Sequence, residues 1–147
     1  HDLTDNYAAI AERLKELQAG HYDICTNIGG GIDKAIKELT GSRARASAAK
    51  VMLLLTDGNP NIDQSGGYST SGGKNYAKDM AAIAASKGIQ IYCITVGTAA
   101  DRDLMQEIAE TGGGEEFHAS GSIEQYSTEL KEIFGELGSR RPVRLIE

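Results

Sequence analysis

Lys50-Val51-Met52-Leu53-Leu54-Leu55-Thr56-Asp57-Gly58 decides the fold. A short apolar run ends in Thr-Asp-Gly. A run of this length, closed by a turn signal, predicts a buried parallel strand. It delivers the Asp57 carboxylate to the carboxyl edge of its sheet. Open α/β sheets bind their ligands at that edge. A second stretch fits the same picture: Thr26-Asn27-Ile28-Gly29-Gly30-Gly31-Ile32, a hydroxyl followed by glycines that open a helix.

Upstream, Thr4 or Asp5 is expected to cap a first helix with Tyr7, Ile10, Leu14 and Leu17 on its inner face and Gly20 at its end. The second helix follows the glycines, with Ile32, Ala35, Ile36 and Leu39 inward and Gly41 as its stop. Residues 58–75 read as a long loop rich in Gly, Asn and Ser. Loops of that length usually have a function or are mobile. A helix from Asn75 to Lys87 presents Met80, Ile83 and Ala84, and Gly88 ends it. Ile89–Gly97 is a β-branched second strand. Asp101 caps a helix carrying Leu104, Met105 and Ile108, and Gly112-Gly113-Gly114 turns into a short strand, Glu116–Ala119. Ser122 starts the last helix, with Ile123, Tyr126, Leu130, Ile133, Phe134 and Leu137 along it and Gly138 at its end.

This alternation predicts an α/β fold, a three-layer, doubly wound, mainly parallel, Rossmann-like sheet. Residues 1–138 form one domain and residues 139–147 a basic tail, β-prone at Val143–Ile146. Only three convincing strands follow the first helix, which is lopsided for a sheet covered on two faces.

A chain of 147 residues can bury a real core. Its net charge of −6 argues against nucleic acid, whose phosphates need a basic face. No apolar run approaches the roughly 18–20 residues of a membrane span. The chain starts with His and shows no signal-peptide pattern, so a cut piece of a longer protein is expected. Cys25 and Cys93 make no disulfide framework. Cys93, inside an apolar strand, reads as a small core residue. Cys25 has no general base near it in sequence. Enzyme motifs fail as well. Gly67 and Gly72 have P-loop spacing, but position 73 is Gly and Lys74 comes one residue late. There is no Gly-x-Ser-x-Gly elbow. His21 and His118 lack metal-ligand spacing to another His or Cys, and His118 reads as a half-buried strand residue. The chain is not expected to be an enzyme.

Thr-Asn-x-Gly at residues 26–29, followed in order by Leu-Leu-Thr-Asp-Gly at residues 54–58, makes the chain resemble a von Willebrand factor A domain, the integrin I-like family. The resemblance runs from about Leu3 to Leu137. It implies an adhesion or protein-binding module with a metal-ion-dependent adhesion site. In such a site Mg²⁺, or Mn²⁺ or Ca²⁺ in its place, bridges to an acidic residue of a protein partner. The residues matching the family's ligands are Thr26 and Asp57. The family's first metal motif, Asp-x-Ser-x-Ser at the end of its first strand, is missing here. Asp63-Gln64-Ser65-Gly66-Gly67 only half resembles it and follows no apolar strand. The resemblance therefore implies an N-terminally truncated domain with a partial site and no metal held by this chain alone.

Mg²⁺ wants near-octahedral oxygen coordination, and two oxygen groups make a poor cage. Structural roles stand beside the metal reading: Thr26 as a helix cap, Asp57 as an acceptor of backbone hydrogen bonds in its turn. The alternative function is a metal-independent scaffold in a bacterial envelope or assembly complex. Arg144-Leu145 in the tail is similar to envelope members of the family, including those associated with Tad-type pilus assembly, and implies an extracytoplasmic location. Without a first strand beside it, strand 51–56 would be an apolar edge. A homo-oligomer, or pairing with a missing N-terminal segment, is expected to cover it.

Overall fold

The computed structural model describes residues 4–17, 25–120 and 123–139. In chain order it holds α1 (Tyr7–Lys15), α2 (Ile28–Thr40), β1 (Lys50–Thr56), α3 (Thr70–Ser86), β2 (Ile89–Val96), α4 (Arg102–Thr111), β3 (Glu116–Ala119) and α5 (Ile123–Ser139). Two compact units divide the chain: His1–Ala48 with Pro60–Met80, and Ala49–Asn59 with Ala81–Glu147.

The second unit holds the sheet. Its order is β1-β2-β3, and both pairings are parallel. Leu53 stands opposite Tyr92 and Thr56 opposite Thr95, while Thr95 also stands opposite His118. The central strand is the β-branched run Ile89–Val96. Ile89, Ile91, Cys93, Ile94 and Thr95 are all buried, as a continuous apolar run covered on both faces requires. β1 departs from the expectation of a fully buried strand. Met52 and Thr56 are buried, but Val51, Leu53 and Leu55 on the opposite face are 41%, 40% and 55% exposed. The reason is position: β1 is the edge of the described sheet, and one of its faces lacks a full cover.

α4 lies against β2 and β3, and α5 against β3. Asp101 caps α4 as expected, accepting from the Leu104 N–H at 3.2 Å, and Leu104, Met105, Ile108 and Ala109 are buried. In α5, Ile133 is buried but Phe134 is half exposed, and the helix runs past Gly138 to Ser139. The buried positions of α3 are Gly73, Ala77, Met80, Ala81 and Ala84, a helical stripe of mostly small residues; Ile83, expected inward, lies off that stripe and is exposed.

Polar groups inside the second unit are paired. The Thr95 hydroxyl donates to Glu116, whose other oxygen takes the Arg102 guanidinium at 3.1 Å. With its one proton committed, Thr95 Oγ1 accepts from His118 Nδ1–H at 2.8 Å. His118 is thus a half-buried structural residue. Burial, and then the Glu116 charge, push the Cys93 thiol up to about 12, so it is no nucleophile.

In the first unit α1 is capped by Asn6, not by Thr4 or Asp5, because the Asn6 side chain accepts from the Ala9 N–H at 3.1 Å. It ends at Lys15, and Gly20 lies outside the described residues. None of its residues is buried, and the face expected to turn inward shows Tyr7 and Leu14 at 78% and 61% exposure. The second helix starts ahead of the glycines rather than after them. Asn27 accepts from the Gly30 N–H at 2.8 Å and admits Ile28 to the first turn. Ile32 and Ile36 then face the core.

α3 begins at Thr70, inside the stretch expected to be loop. Ser69 is the reason: its hydroxyl accepts from the Gly72 N–H at 3.0 Å and its carbonyl from the Gly73 N–H at 2.7 Å. A capped first turn outweighs the low helix propensity of two glycines. The loop that remains is tied by Asp63. Its Oδ1 accepts from the Ser65 N–H, the Ser65 hydroxyl and the Gly67 N–H at 2.7–2.9 Å. The half-match to a metal motif is therefore a turn device.

These bonds, the Ser65 hydroxyl first and then the Gly67 N–H, hold the Asp63 carboxyl below its usual range. A carboxylate depressed in the folded state stabilises above its unfolded pKa and stops doing so as pH falls through the folded one. Backbone protection at Ser65 and Gly67 is therefore expected to hold through pH 4 and fade only below the ordinary value of about 3.9. Amide exchange by NMR from pH 6 to pH 2 measures this. Protection lost at pH 5 would show that the bonds to Asp63 do not hold the turn.

Candidate functional site

Thr26 precedes α2 in the first unit, and Asp57 follows β1 in the second. Each is described within its own unit.

Thr26 is half-buried and is pinned through its backbone. Its N–H donates to Asn61 Oδ1 at 2.7 Å, and its carbonyl accepts from the Asn61 N–H at 2.9 Å. Asn61 is itself anchored, since its carbonyl accepts from the Ser69 N–H at 2.9 Å. Thr26 is thus held between the head of α2 and Asn61 of the same unit. Gly29 belongs to the same construction. A Cβ there would stand 2.4 Å from the ring of Tyr76 on α3, so only glycine lets the two helices come this close. The helix-capping role weighed for Thr26 belongs to Asn27 instead. Among the described residues the Thr26 hydroxyl has no hydrogen-bond partner.

Asp57 is exposed. The turn it occupies is closed by its neighbour: the Thr56 hydroxyl accepts from the Gly58 N–H at 3.3 Å. The backbone-accepting role weighed for Asp57 is therefore performed by Thr56. Asn59 donates to the Ala99 carbonyl at 2.7 Å and ties the loop after β1 to the loop after β2. Gly97, which ends β2, donates to the Ala119 carbonyl at 3.0 Å. The carboxyl ends of all three strands are linked in this way, with the Asp57 carboxylate standing out from them. Among the described residues it has neither a hydrogen bond nor an ion pair.

A hydroxyl and a carboxylate are hard oxygen donors, the kind that suit Mg²⁺ or Ca²⁺ rather than a soft metal. Among the described residues no three His, Cys, Asp or Glu side chains are grouped so as to hold a metal ion. Cys25 next to Thr26 is exposed, and Cys93 is buried. Asn27, Asn61 and Thr56 are the participants that sequence reasoning missed. Asn27 and Thr56 stand next to the residues singled out, and Asn before a helix is a start signal that could have found the first. Asn61 acts across 35 positions of chain, and nothing local announces it.

Residues 2–136 match the model of the von Willebrand factor type A domain. None of the curated proteins matches the chain. Among solved structures, an uncharacterised membrane-spanning protein from Vibrio fischeri is similar, with 22% identity and a TM-score of 0.47 over 95% of this chain and 68% of that one. Among the described residues, no helix is long and apolar enough to cross a membrane.

Proposed function

Because the chain belongs to the von Willebrand factor type A domain family, we propose that it is a protein-binding module whose Thr26 and Asp57 are oxygen ligands for Mg²⁺ in a complete domain. Domains of this family are in general interaction modules rather than enzymes. The observation that carries the metal reading is that neither side chain is used locally. Asn27 caps α2 and Thr56 closes the turn, which leaves the Thr26 hydroxyl and the Asp57 carboxylate without a partner among the described residues. Polar side chains at such positions ordinarily serve the cap and the turn themselves. Asn61 then acts as the positioning residue for Thr26. The bound ion would supply a fixed positive charge, short of ligands, for an acidic group of the partner.

Calorimetry with Mg²⁺ and with Mn²⁺ tests this. The present chain is expected to give negligible heat. A chain that also carries an apolar strand ending in Asp-x-Ser-x-Ser is expected to bind, and to lose binding on Thr26→Ala. Binding by neither chain would overturn the metal reading. It would favour metal-independent contact, for which the exposed Tyr7 and Leu14 on α1 offer an apolar surface.

A further inference from the structure

We propose that the crevice between the last turns of α3 and α4 receives an arginine side chain of a protein partner, at the edge of the sheet opposite Asp57. The proposal is independent of the metal reading. α3 runs into β2 and α4 runs into β3. Because β2 and β3 are parallel, both helices end at the edge where the strands begin. A crevice of about 340 Å³ lies between those two ends, toward the small end of the range for ligand sites. Its floor is the start of β2, a strand paired on both sides. Ala85 borders it from α3 and Thr111 from α4. The turns that follow pass through Gly88 and Gly113 at positive φ, and a Cβ at either would meet nothing within 4 Å.

The electrostatics of the crevice favour a cation. Each helix end contributes roughly half a negative charge. A basic residue in the last turn ordinarily answers that charge, as Lys37 is placed to do in α2, but α3 and α4 have none there. Lys87, next in the chain to Gly88, is exposed and does not line the crevice. Glu110, on the last turn of α4, adds a carboxylate to the same helix end.

Hydrogen-bonding capacity points the same way. The donors of the two turns are spent within the fold. The Gly88 N–H donates to Ala85, the Gly112 N–H to Ile108 and the Gly113 N–H to Glu110, at 2.9–3.1 Å. The Thr111 hydroxyl donates to the Glu107 carbonyl at 2.7 Å, and the Gln90 carboxamide to the Gly113 carbonyl at 2.8 Å. Acceptors remain, because each carbonyl has a second lone pair, and Gln90 Oε1 and Thr111 Oγ1 keep theirs. A wall rich in acceptors repels a carboxylate or phosphate and suits a ligand made of donors. The guanidinium group has five N–H donors in a planar fork and no acceptor. The chain's net charge of −6 attracts a basic partner as well. Depth decides between a free molecule and a side chain. Gly88, Thr111 and Gly113 are exposed, so the crevice is shallow and would leave much of a free ligand in water. A side chain on a docked protein is held there by the rest of its interface.

NMR titration of the full chain with acetyl-Ala-Arg-Ala-amide is the test. The matching citrulline peptide keeps the shape and loses the charge. Saturable shifts are expected at the Gly88, Gln90, Gly112 and Gly113 amides, with the citrulline peptide at least about tenfold weaker. Free arginine, the small-molecule alternative, is expected to bind no better than the arginine peptide. Ala85→Leu is expected to fill the crevice and weaken peptide binding. Thr111→Val, which removes an acceptor, repeats the loss should Ala85→Leu unfold. No saturable shift at those four residues overturns the proposal. Equal binding of the citrulline peptide, tighter binding of free arginine, or binding that both variants leave unchanged overturns it too.

Discussion

Gly114→Ala is expected to be the most damaging conservative change in the second unit. A Cβ at Gly114 would stand 2.0 Å from the Ile91 carbonyl oxygen and 2.7 Å from its carbon. Those are backbone atoms of the central strand, and neither side can give way. The Gly114 N–H is tied to the Ala109 carbonyl at 2.9 Å, and the Cys93 N–H to the Glu115 carbonyl at 3.0 Å. Overpacking against a fixed neighbour costs up to about 3 kcal/mol or more. Set against a total stability of about 5–15 kcal/mol, that is a large share. The midpoint of thermal unfolding should fall by roughly 6–12 °C. Two neighbouring comparisons isolate the cause. Gly113 has open space around its would-be Cβ but a φ of +67°, so Gly113→Ala should cost only the left-handed strain of about 1–2 kcal/mol. Gly31 is helical with open space, and Gly31→Ala should stabilise by about 0.4–1 kcal/mol. A Gly114→Ala protein that melts with the parent would show that the crossing over Ile91 is not tight.

The parts of this fold that are legible in the sequence are those whose cause is local. β2 is a β-branched run between Gly88 and Gly97, and both glycines take the positive φ that ends a helix or a strand. Asp101 stands three residues before Leu104, the spacing of a cap, and the cap forms. What escapes local reading depends on distant partners. The edge position of β1 is expected from the lack of a first strand beside it; the burial of only one of its faces depends on what packs there, which no property of Val51–Leu55 announces. α1 has an amphipathic stripe, but a stripe is buried only where a matching surface exists. The start of α3 was hidden because Gly72-Gly73 outweighs Ser69 on propensity, while the cap outweighs both in the fold. In the candidate site Thr26 and Asp57 are nominated by their motifs. Asn61, which pins Thr26, is not.

Asp57→Ala is expected to separate binding from folding completely. Its carboxylate is exposed and makes no hydrogen bond or ion pair among the described residues, so the fold has nothing to lose there. Surface changes of that kind stay within about 0.5 kcal/mol. In a domain that also carries the Asp-x-Ser-x-Ser strand, the same change would remove the charged ligand proposed for the ion. Even outer partners of a metal site cost about 10–100-fold in affinity when removed, so a carboxylate ligand, direct or through water, should cost about the upper figure. Asn61→Ala should fall between the two. It withdraws the acceptor that holds the Thr26 N–H at 2.7 Å but leaves the Thr26 hydroxyl in the chain. Its loss of Mn²⁺ affinity should be about tenfold, accompanied by a lower melting temperature that Asp57→Ala does not show. Calorimetric Mn²⁺ titration of the three proteins, with thermal unfolding measured beside it, reads both quantities. Metal binding that survives Asp57→Ala unchanged would remove this carboxylate from the site. In the present chain the same substitution should change metal binding little, because Thr26 and Asp57 by themselves supply too few oxygens for the octahedral shell that Mg²⁺ demands.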